Sequence, residues 1–74
     1  MKQPEYLIIY EQTPTGWSAY VPDLTGCVAA GRTRRDTERL MRGAIAMHLQ
    51  TMLEDGDHIP RPTTSVGSIA VRLG

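Results

Sequence analysis

A chain of 74 residues with a single cysteine cannot brace itself with an internal disulfide. Its two histidines and that cysteine show no metal-ligand spacing, so no metal or other cofactor is expected. No apolar run approaches the ~20 residues of a membrane-spanning helix. The N-terminal MKQPEYLIIY lacks the long apolar stretch and small-residue cleavage site of a signal peptide. Net charge is missing too: eight basic and eight acidic side chains cancel, so the bulk charge argues neither for nucleic acid nor for an acidic tail. The expectation is one cytoplasmic domain over residues 1–74, burying roughly 60% of its extended surface. Cores this small often need support, and with disulfide and metal set aside self-association is what remains.

What is present reads first as a sheet. Residues 5–11 form a run dominated by β-branched and aromatic side chains, of strand length and short for a helix. Tyr6, Ile8 and Tyr10 share one face; Leu7, Ile9 and Glu11 share the other. Both faces are largely apolar, so this strand is central or is covered on its second face by another chain. TPTG turns the chain, with Pro14 fixing φ and Gly16 free to take positive φ, and WSAYV alternates Trp17, Ala19 and Val21 against Ser18 and Tyr20. Pro22 and Asp23 end that strand, and DLTG leads into a short third strand at residues 27–31.

The helix is marked at both ends. Thr33 followed by Asp36 is a variant capping box, and Gly56, then Pro60 and Pro62, stop the helix after about Asp55. At about 100° per residue, Thr37, Leu40, Met41, Ala44, Ile45, His48 and Met52 fall on one side and should lie on the sheet. Arg35, Arg39 and Arg42 lie opposite. Gly43 costs about 1 kcal/mol relative to alanine in a helix interior, unless a neighbouring chain uses the space. Past a polar, proline-punctuated loop, Ile69, Val71 and Leu73 alternate with Ala70 and Arg72 as a last strand. The expected architecture is α+β, in the order β-β-β-α-β, with an antiparallel sheet packed on one long helix.

No arrangement of residues points to catalysis. Gly26 and Gly31 are five residues apart, too sparse for a phosphate-binding loop. Cys27 sits between a turn glycine and a valine, where a small apolar thiol packs in a core, with a reactive thiol as the alternative. His48 is either a neutral imidazole within the apolar stripe or part of a subunit contact, and no base is placed beside a nucleophile. The strand sequence LIIY carries none of the carboxylates that metal-assisted phosphodiester cleavage requires. EDGD, residues 54–57, lacks the alternating oxygen ligands of a calcium loop. Arg35, Arg39 and Arg42, near a helix N-terminus, oppose the macrodipole. They form a solvated face, a protein contact or a phosphate contact.

The turn TPTGWSAYVPDLTGC, the GRT leading into a helix with AIAMHL, and the exit EDGDHIPRP together resemble HicB-type antitoxins, over roughly residues 5–62. The resemblance implies a truncated ribonuclease H-like sheet without its acidic catalytic set, so the chain should bind and not cut. It implies a protein partner, a cognate HicA-type ribonuclease toxin whose active-site region is covered, and a homodimer or homotetramer. On that view Trp17, Tyr20, Asp23 and Leu24 are the expected partner-binding anchors, with simple hairpin packing as the competing role of Trp17. Two departures qualify this. Thr25 stands where the family turn often carries proline, and the basic TRRDTERLMR would repel a basic toxin, so contact should use another surface. The family's operator-binding domain has no counterpart within residues 1–74, so DNA binding by this chain is not expected. The alternatives are an oligomeric structural or regulatory protein without a toxin, or a weak RNA-binding module acting through the arginines.

Overall fold

The computed structural model describes residues 3–74. Three strands come first, β1 (Ile9–Thr13), β2 (Gly16–Tyr20) and β3 (Val28–Gly31), followed by one long helix, α1 (Arg34–Glu54). The strands form an antiparallel sheet in the order β1-β2-β3, with α1 lying chiefly across β2 and β3. β1 begins later than the alternation suggests and takes in Gln12 and Thr13. The cause is its partner: Ile9 pairs with Tyr20, and beyond Tyr20 the chain enters the Pro22 turn, so residues 5–8 have no strand to meet.

Side chains sort by the period of two. Tyr10, Ala19 and Ala29 form one row across the sheet, and Gln12, Trp17 and Gly31 the next; these face the helix. The core holds Ala19, Val21, Leu24, Cys27 and Met41, with Tyr6, Ile8, Tyr10, Ala29, Ala44, Ile45 and Leu49 packed around it. Met41 and Leu24 are essentially inaccessible, each adding about 1.5–3 kcal/mol of hydrophobic stabilisation. Leu40, expected on the buried stripe, is 40% exposed. It lies about 100° round the helix from Met41, on the flank, and Leu49 packs inward instead.

Glycine 16 does not adopt positive φ; that conformation is kept for Gly26, Gly56 and Gly74. Gly16 is needed for closeness, because a Cβ there would strike the carbonyl oxygen of Gly31. Gly31 in turn lets the first turn of α1 settle on β3, since its Cβ would lie 2.7 Å from Thr37 Oγ1. The helix ends are as the sequence marks them. Thr33 accepts from the Asp36 amide at 3.0 Å. Asp57 N donates to Met52 O at 2.8 Å and Gly56 N to Leu53 O at 3.2 Å, the paired bonds of a Schellman motif with Gly56 in the left-handed region.

The expected fourth strand is not formed. Residues 57–74 contain no ladder, and Ile69, Val71 and Leu73 are 88%, 73% and 90% exposed. Alternation makes a strand only where a sheet edge receives it, and this segment is diverted first. Tyr6 Oη donates to Pro60 O at 2.6 Å, and the Asp23 carboxylate accepts four bonds from Thr63 and Thr64, at 2.8–3.2 Å. From there the chain leaves the body. The molecule measures 53 × 27 × 21 Å with a radius of gyration of 14.7 Å, against about 11 Å for a compact chain of this length.

Candidate protein-binding surface

The helix covers one face of the sheet; the other is open. On it, register places Ile9, Tyr20 and Val28 side by side across all three strands, with Glu11, Ser18 and Ala30 as the next row. Tyr20 is 41% and Val28 64% exposed, so two large side chains that propensity assigns to strands stand in water on the uncovered face. A tyrosine is suited to that position, since its ring offers apolar area and its hydroxyl a polar tip.

The four expected anchors are not brought together. Trp17 belongs to the helix-facing row and is half-buried beside Gly31. Tyr20 points to the opposite face. Asp23 is engaged by Thr63 and Thr64, which hold its carboxyl below the ordinary value of 3.8, the Thr64 hydroxyl bond contributing most. Leu24 cannot touch a partner at all, being 1% exposed: the turn bonds Leu24 N to Val21 O and Cys27 N to Leu24 O, each 3.1 Å, fold its side chain into the end of the core. Val28 escaped sequence reasoning because a single valine between a cysteine and two alanines gives no sign of which side of the sheet is covered.

Arg35, Arg39 and Arg42 are exposed on α1, where with Asp36 and Glu38 they border a shallow depression. They lie in the helical layer, separated by the sheet from the Tyr20 face. Arg34 is used internally, its guanidinium 4.2 Å from the centre of the Tyr10 ring, a cation–π contact.

A groove of about 620 Å³ runs between the turn at residues 23–28 and the C-terminal half of α1, bordered on the helix by Ala44, Met47, His48 and Met52. Cys27 also borders it, yet it is buried and its desolvated thiol is pushed above the ordinary cysteine value. That favours the unreactive protonated form, and among the described residues no hydrogen bond joins it to His48. Among those residues there is also no group of three or more His, Cys, Asp or Glu that could hold a metal ion, and no helix long and apolar enough to cross a membrane.

Residues 6–72 match a family described as the HicB-like antitoxin of bacterial toxin–antitoxin systems. A curated relative, an uncharacterized 14.9 kDa protein from the rep-hol intergenic region of Haemophilus phage HP1 (strain HP1c1), is 36% identical over 56 residues. The match takes in 76% of this chain and 42% of the phage protein, so the chain spans about two-fifths of that relative's length. Among solved structures, a chain of the HicA3 and HicB3 toxin–antitoxin complex superposes with a TM-score of 0.68 at 32% identity, covering 81% of this chain and 70% of that one.

Proposed function

Since the chain belongs to the HicB-like antitoxin family of bacterial toxin–antitoxin systems, we propose that it is the partner-binding domain of a cytoplasmic antitoxin. Its partner is a small ribonuclease toxin of the HicA type, whose active-site region it covers without chemistry of its own. The observation that supports this surface is the apolar row Ile9, Tyr20 and Val28 on the uncovered face of the sheet. An exposed sheet face suits occlusion, because a docked domain competes with RNA for the toxin surface by volume alone. Charge agrees: the one charged residue in the adjoining row is Glu11, while the arginines that would repel a basic, RNA-gripping toxin stand in the other layer. Of the expected anchors Tyr20 keeps that role, and Trp17 shapes the hairpin.

The test is titration of this chain with a small HicA-type ribonuclease toxin. Tyr20→Ala and Val28→Glu should each weaken binding by roughly thirtyfold or more, the size of effect expected for a desolvated anchor. Arg39→Ala should leave affinity within about threefold, since surface charge on the wrong layer contributes little. If both sheet-face variants keep the wild-type circular dichroism and the wild-type affinity, the open face is not the binding surface.

A further inference from the structure

We infer that the C-terminal segment, residues 65–74, is a strand exchanged between two copies of this chain, each laying it along the free edge of β1 in the other. The donor is visible in the pattern. Ile69, Val71 and Leu73 alternate with Ala70 and Arg72 and are 88%, 73% and 90% exposed, an arrangement that has meaning in a sheet and none in water. The segment is not a frayed end, for it is tied down immediately before it departs, by Asp23 at Thr63 and Thr64 and by Tyr6 at Pro60. The tie directs it outward, and at about 3.3 Å per residue ten residues reach about 33 Å.

The receiver is equally specific. Among the described residues β1 pairs with β2 alone, so its outer edge there carries unused backbone donors and acceptors, the template for an added strand. Because α1 lies over β2 and β3, the helix-side surface of β1 is covered incompletely. Ile8 and Tyr10 on that side are half-buried, as are Ile45 and Leu49 on α1, and Leu53, on the same helical flank as the latter two, is 60% exposed. A strand seated on that edge with Ile69, Val71 and Leu73 turned toward the helix would complete this strip. Ala70 and Arg72 would then join the open face.

Size favours a second copy. Each protomer both donates its ten residues and receives ten along the five-residue edge of β1, so the exchange doubles the contact that a single added strand would make. Two-fold exchange also closes, leaving neither strand unpaired. This association involves no toxin, so its failure and that of the antitoxin reading are separable.

The experiment combines sedimentation velocity of the chain with isotope-filtered NMR on an equal mixture of ¹³C-labelled and unlabelled copies, unfolded and refolded together. The expected species has twice the 8.2 kDa monomer mass, with filtered contacts from the Ile69 and Val71 methyls to Tyr10 and Ile45 of the other copy. The double substitution Ile69→Ser, Val71→Ser, at positions exposed in the single chain, should weaken dimerisation by a hundredfold or more and leave the helical circular dichroism signal of α1 unchanged. A wild-type chain that stays monomeric at several hundred micromolar overturns the inference. So does a dimer indifferent to the double substitution, or tail contacts confined to one chain.

Discussion

At the scale of single residues, fit is decided where backbone meets backbone. Gly16, Gly31 and Thr37 form a stack through which the hairpin, the third strand and the helix approach one another. Gly31→Ala would set a methyl group 2.7 Å from Thr37 Oγ1 and 3.0 Å from Thr37 N, and Thr37 cannot yield freely because its hydroxyl donates to Thr33 O at 2.8 Å. Overpacking of this kind costs about 1–3 kcal/mol, so the thermal midpoint should fall by roughly 4–8 °C for each kcal/mol. Gly43→Ala is the matched control. A Cβ there meets nothing within 4 Å, so the better helix former should raise the midpoint slightly. Differential scanning calorimetry of the two variants distinguishes them, and an unchanged midpoint for Gly31→Ala would show that α1 can slide. Sequence alone cannot separate these glycines, since the atoms that crowd Gly31 come from the next element.

At the scale of elements, the segment 57–64 acts as a strap whose two fastenings titrate at opposite ends of the pH range. Asp23 accepts its bonds as a carboxylate, with its folded pKa below 3.8. The stabilisation is therefore complete above the unfolded value and is lost as pH falls through the lower folded one. Tyr6 is raised above 10.0, first by burial and then by the Asp23 charge; its phenol donates to Pro60, and that contribution is present below the unfolded value and lost as pH rises through the folded one. Methyl NMR of Thr63 and Thr64 should show an acid transition that Asp23→Asn abolishes and an alkaline one that it spares. An acid transition that persists in the variant would assign the titration elsewhere. The helix was readable in advance because Thr33, Gly56 and the 3.6-residue period are local signals. The strap was not: Asp23 reads as a turn residue, and its partners lie forty residues away. The three strands were recognised, but β1 was misplaced because its limits are set by β2, and the alternation at 69–73 marks a strand without saying what it pairs with.

At the scale of the whole molecule, the two layers differ in character: the helix carries Arg35, Arg39 and Arg42, and the sheet carries the open apolar row on the opposite side. The strand order β1-β2-β3 has a kinetic consequence. Each strand's neighbour in space is its neighbour in sequence, and α1 packs on the strand just before it, so little loop-closure entropy is lost before contacts form. Sheet and helix should assemble in milliseconds or faster, without the slow search that long-range pairing imposes. Stopped-flow refolding followed by Trp17 fluorescence should give one rapid phase independent of protein concentration. If residues 65–74 are exchanged, a second, slower phase should appear whose rate rises with concentration and which the double substitution in that segment removes. A chain built this way would be ready to capture a partner soon after it leaves the ribosome, before the exchange that joins two copies is complete.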